Sequence, residues 1–170
     1  MAVLPIRKYP DPVLQKPCHD VDSTDPALRD LAESMAETMY QADGIGLAAP
    51  QVGEGINLVV VDPNPKDRQG SPLILFNPRI VEKEGSQCNE EGCLSLPGHY
   101  SDVTRAARVV LEAMDREGRE IHLEAQGIFA RCLQHELDHL QGKLVLDYLS
   151  PLKRALYRKK RLKEIRRSGS

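Results

Sequence analysis

A histidine–glutamate–histidine pattern near the end of the chain constrains its fold more than any other feature of the sequence. His135, Glu136 and His139 match the pattern HExxH. Residues four apart on an α-helix lie on one face, about one turn apart, so two imidazoles at this spacing are able to bind one metal ion. Apolar residues recur at helical spacing through residues 127–141, and Gly142 is a typical C-terminal stop. The sequence therefore predicts a helix with one face in the core and another lining a metal site.

Glu136 lies about 100° around the predicted helix from His135. At that angle it is too far around to bind the same ion comfortably, but near enough to reach a metal-bound water, which predicts a general base. Catalytic metal sites usually combine three protein ligands with an open position. Cys132 shares the helix face, but three ligands in a row along one helix cannot surround an ion. We therefore expect Cys132 to line the pocket and the third ligand to come from elsewhere.

Cys93 has the most favourable setting for the third ligand. Gly92 allows the backbone to turn tightly beside an ion, and Leu94 offers a backbone N–H where an oxyanion would form. Cys88 remains the main alternative from the residues alone. The other candidate side chains are expected to be structural or exposed, with His99 in a loop and His122 half-exposed on a strand: Cys18, His19, His99 and His122.

The remainder of the chain predicts an α+β fold in a single compact domain. A first helix is expected after Asp25 and Pro26, which fit an N-cap and a first-turn residue, and it should end at Gly44. Prolines before residue 21 predict extended chain. Short β-type runs, which we expect to pair mostly antiparallel around the HExxH helix, occupy residues 56–62, 73–76, 79–82, 109–114 and 121–123, with a hairpin turn at 115–118.

The formal charge of −2 hides an asymmetry along the 170-residue chain. Residues 151–170 contain nine Lys and Arg residues and one acid, so residues 1–150 form an acidic body with a basic helical tail. Such a division is typical of chains whose tail has a polyanionic partner. Apolar side chains fall within about a third of the helical wheel, so we expect the first turns of the tail to dock on the body through them: Leu152, Ala155, Leu156 and Leu162.

The cysteine content and the apolar pattern predict a cytoplasmic protein without a membrane partner. A chain of this length buries enough surface not to need disulfides, and its start shows no basic leader followed by an apolar stretch. No apolar run approaches the ~18 residues of a membrane span. We therefore expect the four cysteines to be free thiols and at least one of them to have a chemical role.

Three segments together resemble the motifs of peptide deformylases. The motif GxGLAAxQ is matched at residues 44–51, EGCLS at 91–95 and QHExDHxxG at 134–142, in the family's order and spacing. The similarity extends from YPDPVL at residues 9–14 to DYLSPLK at 147–153. One such motif is weak evidence, whereas three in order are highly specific.

The resemblance implies removal of the formyl group from N-formylmethionine at the start of new polypeptides. It implies one divalent ion per chain, ferrous by family, with Zn²⁺, Ni²⁺ or Co²⁺ able to substitute. Cys93, His135 and His139 would bind this ion and Glu136 would shuttle the proton.

The resemblance also implies how the substrate is held. The side-chain amide of Gln51 and the backbone N–H of Leu94 would face the developing oxyanion. The peptide would lie as an added strand on the backbone of Ile45, Gly46 and Gly92. The walls of a methionine pocket would come from Ile128 and Cys132.

Four further residues are singled out by comparison with the family pattern. Glu91 and Arg105 resemble a structural ion pair behind the site. Tyr100 and Arg131 depart from many bacterial members, which carry an arginine and an aliphatic residue there, so the side-chain preference after methionine stays open. Ribosome docking near the exit tunnel is implied for the basic tail, with no role in DNA binding.

Two other classes of protein share part of this pattern. A metallopeptidase uses HExxH on internal peptide bonds, but its third ligand is usually a Glu or His further along the chain. A zinc-stabilised RNA-binding protein would account for the basic tail, but a structural zinc uses four protein ligands and no fourth is evident. The deformylase interpretation is therefore favoured, with a metallopeptidase as the alternative.

Overall fold

Three α-helices and seven β-strands organise the residues that the computed structural model describes, which are 2–64 and 71–168. The helices are α1 (Pro26–Gln41), α2 (Gly127–Leu140) and α3 (Pro151–Ser168). The strands are β1 (Gly46–Ala48), β2 (Leu58–Val61), β3 (Leu73–Glu84), β4 (Gln87–Cys93), β5 (Leu96–Arg105), β6 (Arg108–Met114) and β7 (Glu120–Gln126). Short 3-10 turns occur at Pro12–Gln15, Ala49–Val52 and Val145–Tyr148. Among the described helices, none combines the length and apolar character needed to cross a membrane.

The strands pair antiparallel throughout the described residues and form two sheets. Five of them follow the order β1-β2-β3-β6-β7, and β4 pairs with β5 alone. The turn between β6 and β7 lies where it was predicted, with the N–H of Gly118 donating to the carbonyl of Asp115 at 3.1 Å. The predicted α+β class with mostly antiparallel strands is confirmed.

Strand β2 lies at the centre of the core because both of its faces are covered. Its four residues, LVVV, are fully buried. The odd-numbered residues pack with α2, including Leu133 and Leu140, and the even-numbered residues pack with α1, including Met35 and Met39. A strand covered on both faces shows a continuous apolar run instead of alternation. Helix α2 is therefore held against the sheet by its apolar face.

Helix α1 begins as predicted and ends slightly early. The carboxylate of Asp25 accepts a hydrogen bond from the N–H of Ala27 at 3.0 Å, which satisfies one of the free donors of the first turn. The helix ends at Gln41, and the N–H of Gly44 then donates to the carbonyl of Met39 at 2.9 Å. Asp43 adopts a φ of 55°, so the chain leaves the helix one turn before the segment that carries the first family motif.

The N-terminal segment is less extended than predicted. Pro12–Gln15 forms a 3-10 turn, and the Asp11 carboxylate caps it by accepting from the N–H of Val13 at 3.0 Å. Proline is compatible with the first position of a turn because its missing N–H would be unpaired there. The turn places Leu14 in the core, where it is fully buried.

Strand β3 is one continuous strand, although the sequence predicted two. Asn77 and Pro78 suggest a break in the strand. In the structure the strand continues through them, and its register against β6 shifts between Phe76 and Arg79. Asn77 has a φ of 51°. Its side-chain amide donates to the Val21 carbonyl at 2.8 Å and accepts from the Val21 N–H at 2.9 Å. The irregularity therefore fixes the N-terminal segment to the sheet.

The β4–β5 hairpin was not predicted, and His99, expected in a loop, lies within β5. Apolar alternation does not reveal this hairpin, because two of its buried positions are the charged residues Glu91 and Arg105. The ring of His99 packs edge-on against Tyr157 of α3, with 5.1 Å between centroids. The hairpin thus links α3 to the centre of the molecule.

Helix α3 docks through a face opposite to the predicted one. Tyr157 is buried and donates its hydroxyl to the Pro97 carbonyl at 3.0 Å, while Arg161 donates from Nε to the Tyr9 carbonyl at 2.9 Å. An aromatic ring and a guanidinium stem supply the contact area, because both have long apolar parts that end in donors. The side chains expected to dock are exposed instead, so that prediction is wrong: Leu152, Ala155, Leu156 and Leu162. Residues 169–170 of the tail lie outside the described residues.

We predict that Tyr157→Ala lowers the free energy of unfolding by about 3 kcal/mol, because it removes a buried ring and its hydrogen bond. The neighbouring Leu156→Ala should change it by less than about 0.5 kcal/mol, because that side chain is exposed. Urea unfolding of the two variants measures both values. Equal losses would contradict the docking face described above.

Candidate metal centre

Three donor atoms from two elements converge beside α2. The Sγ of Cys93, at the end of β4, lies 3.4 Å from Nε2 of His139, and that nitrogen lies 3.3 Å from Nε2 of His135. Ligand atoms arranged tetrahedrally at bonding distance from one ion are about 3.3–3.8 Å apart. The spacing and the chemistry of the donors therefore fit a divalent metal. Burial and the nearby charges of His135 and Arg105 hold the pKa of His139 well below its usual value, which favours the neutral, metal-binding imidazole.

The structure brings Cys93, and not Cys88, to the histidine pair. Among the described residues, Cys93, His135 and His139 form a group that is able to hold an ion, whereas Cys88 is exposed on β4. All four cysteines are free thiols, as expected. His19 and His122 are exposed, and neither approaches the three donor atoms closely enough to join their group.

A buried ion pair supports His135 from behind. Glu91 Oε1 lies 3.0 Å from Nδ1 of His135, and Arg105 binds both Glu91 oxygens at 2.8 and 2.9 Å. The same guanidinium donates to Asp138 at 2.6 Å. Burial alone would raise the pKa of Glu91, but the hydrogen bonds from Arg105 and His135 lower it to about 2. A carboxylate on the second nitrogen of a histidine fixes both the tautomer and the ring orientation.

Glu136 is buried next to the donor atoms, and one of its carboxylate oxygens makes no hydrogen bond to the described residues. That oxygen is Oε1, and the side chain lines the cavity in front of the donors. Burial raises the pKa of Glu136 to about 7. A carboxylate with a pKa near neutrality and an unsatisfied oxygen is suited to accept and return a proton.

Gln51 presents its amide nitrogen to the same place. Its Nε2 lies 3.6 Å from the Cys93 sulfur and 3.2 Å from Oγ of Ser95, while its Oε1 accepts from the N–H of Ala48 at 3.0 Å. The contact with Ala48 fixes which end of the amide faces the donor atoms. Leu94, the other predicted oxyanion residue, lines the same cavity.

A cavity of about 460 Å³ opens in front of the donor atoms. Two of the three residues whose backbone is predicted to hold the peptide, Gly46 and Gly92, are positions at which a side chain has no room. A Cβ at Gly46 would lie 2.6 Å from Glu136 and 2.7 Å from the Cys132 sulfur, and one at Gly92 would lie 2.4 Å from the Tyr100 ring. The cavity lining includes every predicted substrate-binding residue: Ile45, Gly46, Gly92, Ile128 and Cys132.

The walls and the rim of the cavity differ in exposure. Cys132 is buried and its thiol points toward the Ile45 carbonyl at 3.6 Å, so it forms a wall as predicted. Ile128 is 50% exposed and Tyr100 is 69% exposed, so both lie at the rim. Arg131 is half-buried, and its Nε has no partner within the described residues.

A family model described as polypeptide deformylase matches residues 3–155. The chain belongs to the peptide deformylase family. The peptide deformylase of Thermodesulfovibrio yellowstonii is 51% identical over 160 residues, which cover 94% of this chain and 97% of that protein. The peptide deformylase of Alkalilimnicola ehrlichii is 51% identical over 166 residues, which cover 98% of this chain and 93% of that protein.

Solved structures of peptide deformylases share the whole fold. The crystal structure from Legionella pneumophila has a TM-score of 0.90 and 42% identity, covering 99% of this chain and 98% of that one. The structure from Ehrlichia chaffeensis in complex with actinonin has a TM-score of 0.90 and 38% identity, covering 96% and 98%. This chain is therefore an enzyme of the peptide deformylase family, and the metallopeptidase alternative is not favoured.

Two polar groups that support the donor atoms were not predicted from the sequence. Asp138 binds Arg105, and Gln134 clamps α2 to Ala106 through hydrogen bonds of 2.9 and 3.0 Å to its backbone. Both lie within the third family motif, but they were given no role. The sequence feature that could have identified them is a polar residue next to the apolar face of a core-packed helix, because such a residue needs a hydrogen-bond partner when it is buried.

We predict that Cys93→Ser weakens Zn²⁺ binding by on the order of a hundredfold, whereas Cys132→Ser weakens it less than about threefold. Only the first variant removes a converging donor atom, and both replace a thiol with a hydroxyl. Competition with a chromophoric chelator measures the two affinities. Equal losses, or the reverse order, would show that the wrong thiol had been assigned.

Proposed function

We propose that this chain removes the formyl group from N-formylmethionine at the start of newly made polypeptides, with Cys93, His135 and His139 binding one divalent ion. The observation that carries the proposal is that these three donor atoms meet the Gln51 amide and a Glu136 oxygen that has no hydrogen-bond partner among the described residues, all at one cavity. A metallopeptidase would take its third ligand from a Glu or His after α2. Here the third donor precedes α2 in the chain and is a thiol.

We propose ferrous iron as the resident ion, with Zn²⁺, Ni²⁺ or Co²⁺ able to replace it. A bound divalent ion supplies Lewis acidity, which lowers the pKa of a water and polarises a carbonyl oxygen. The choice of iron rests on the family resemblance, because a ligand set of one thiolate and two imidazoles does not separate iron from zinc. Metal analysis of protein purified without oxygen tests it.

Glu136 is proposed to move the proton in the reaction. It accepts a proton from the attacking water as the water oxygen bonds to the formyl carbon. It then donates that proton to the methionine nitrogen as the carbon–nitrogen bond breaks, which leaves a free amine and formic acid, and the acid ionises to formate at neutral pH. The raised pKa of Glu136, about 7, suits both halves of this transfer at neutral pH.

Gln51 and Leu94 are proposed to stabilise the oxygen that gains negative charge. The amide Nε2 of Gln51 and the backbone N–H of Leu94 would donate hydrogen bonds to it, and one such donor typically contributes ~3 kcal/mol to transition-state stabilisation. Gln51 is suited to this role because the Ala48 N–H holds its oxygen and so orients its nitrogen before substrate arrives.

The substrate chain is proposed to lie along the backbone of Ile45, Gly46 and Gly92, which are half-buried and line the cavity, as an added strand. The methionine side chain would then enter between Cys132 and the rim residue Ile128. Glycine is needed at both positions because a Cβ would collide with cavity-lining side chains, Glu136 and Cys132 at Gly46 and Tyr100 at Gly92. Tyr100 and Arg131 line the same cavity, and they are proposed to influence preference after methionine.

We predict that Glu136→Gln retains metal but lowers kcat by at least about a thousandfold on formyl-Met-Ala-Ser, because the amide cannot accept a proton. Metal content by elemental analysis and formate release measure the two effects. Loss of stoichiometric metal from the variant would reassign Glu136 as a ligand. Comparable turnover of an acetylated or an unformylated peptide by the native enzyme would contradict a deformylase.

We propose that residues 1–150 act as the catalytic unit and that the basic tail, residues 151–170, docks the enzyme on the ribosome near the exit tunnel, in the cytoplasm. Support comes from the charge and the geometry of α3. Tyr157 and Arg161 contact the body of the protein, while Lys159 and Lys163 are exposed to solvent. A cationic surface raises the local concentration of the enzyme at a particle coated with phosphate.

The tail is best tested by charge reversal, because truncation after Leu156 would remove the buried Tyr157. We predict that replacing Lys159, Lys160 and Lys163 with Glu leaves deformylation of a short peptide nearly unchanged. Binding to purified ribosomes should weaken at least about tenfold and native binding should fall steeply with salt. Sedimentation with ribosomes measures both effects.

A matched control carries three charge reversals elsewhere on the surface, at Lys8, Lys16 and Lys83, which are exposed. It has the same net charge as the tail variant. Equal weakening in the two variants would indicate a general charge effect, and ribosome binding that does not respond to salt would overturn the proposal.

A further inference from the structure

A chain of hydrogen bonds runs from the surface to His135 and begins at Tyr148. The Tyr148 hydroxyl donates to Oδ2 of Asp138 at 2.6 Å, and Arg105 donates to the same oxygen at 2.6 Å. Arg105 continues the chain to Glu91, and Glu91 ends it at Nδ1 of His135, 3.0 Å away. Four consecutive contacts thus join a tyrosine to a candidate metal ligand.

Tyr148 covers the outer end of this chain. It ends the 3-10 turn Val145–Tyr148, and the residue is 42% exposed. The Arg105 guanidinium carbon lies 5.2 Å from the ring centroid and the Lys143 ammonium 4.9 Å from it, so two cations approach the aromatic ring. The hydroxyl also lies 3.3 Å from Nη1 of Arg105. Tyr148 therefore contacts both members of the Arg105–Asp138 pair.

The position of Arg105 depends on anchors at both of its ends. One side of the guanidinium binds Glu91 through two hydrogen bonds, and Nη1 binds Asp138 and approaches Tyr148. The Asp138 side chain is 21% exposed, whereas that of Arg105 is 3% exposed. If the Tyr148 hydroxyl were removed, the Asp138 carboxylate would lose a donor held in place by the protein, and solvent water would have to replace it. The outer anchor of the guanidinium then loosens, and with it the orientation of Glu91.

We infer that Tyr148 is a positioning residue for the metal centre, acting through Asp138, Arg105 and Glu91 on the orientation of His135. The inference rests on the proposed Cys93–His135–His139 site. Partners that orient a ligand histidine typically change metal affinity 10- to 100-fold when they are removed. Tyr148 lies several contacts further out, so its effect should be smaller.

The test compares Zn²⁺ affinity in the full chain, measured by chelator competition, for the native enzyme, Tyr148→Phe and Tyr40→Phe. Tyr40 is a matched control because its hydroxyl donates to another aspartate, Asp62, at 3.2 Å. We expect Tyr148→Phe to raise the Kd for Zn²⁺ roughly three- to tenfold. Tyr40→Phe should stay within about twofold of the native value, even if its metal-free form melts at a lower temperature.

A Tyr148→Phe affinity within twofold of the native value, or equal weakening in Tyr40→Phe, would overturn the inference. In an Asp138→Asn background, Tyr148→Phe should add less than about twofold, since the short contact with the Asp138 carboxylate is gone and only the longer 3.3 Å contact of the hydroxyl with Arg105 remains. A full effect in that background would overturn the route. A native chain that binds no Zn²⁺ would overturn both the proposed site and this inference, whereas native binding that Tyr148→Phe leaves unchanged overturns only the inference.

Discussion

The arrangement of the site depends on the ion pairs that the buried guanidinium of Arg105 makes with two carboxylates. Arg105 lies at the end of β5 and binds Glu91 of β4 and Asp138 of α2, so one side chain joins the hairpin to the helix. Replacing a whole buried ion pair by apolar residues of similar volume is often neutral or stabilising, whereas removing only one partner typically costs 3–5 kcal/mol because the remaining charge is uncompensated. The pair is therefore better understood as a device for alignment than as a source of stability. It sets the angle at which Cys93 meets the two histidines.

The rigid part of the centre comes from apolar packing. Helix α2 carries both histidines and Glu136, and its opposite side is buried against β2 in the main core. Groups on a packed helix keep their geometry better than groups on loops. The hairpin brings the third donor on β4, whose one buried position is the charged residue Glu91, while Leu96 and Val103 of β5 pack in a separate apolar cluster. The site thus joins a helix held by apolar burial to a hairpin held by both an ion pair and apolar packing.

The sequence predicted the parts of the structure that local patterns encode. The HExxH spacing, the Asp25 cap and the 115–118 turn are local signals, and the structure contains all three. From the residues alone, Cys93 was favoured but Cys88 stayed open as the alternative, because their distance to α2 depends on long-range pairing. The β4–β5 hairpin was missed since two of its buried positions, Glu91 and Arg105, are charged. The predicted docking face of α3 was wrong since Tyr157 and Arg161, not leucines, make the contact. Motif order identified the family where periodicity could not.

Helix α3 is fastened near its middle, and this determines how it can work. The Tyr157 hydroxyl and the Arg161 guanidinium are bonded to the backbone of the body, at Pro97 and Tyr9. Its 18 residues span about 27 Å. The helix is consequently a stiff spacer and not a flexible tether. A partner bound to its outward side would therefore hold the cavity beside Cys93 at one distance and one angle, and any chain end presented by that partner would be reached by orientation instead of by a diffusive search.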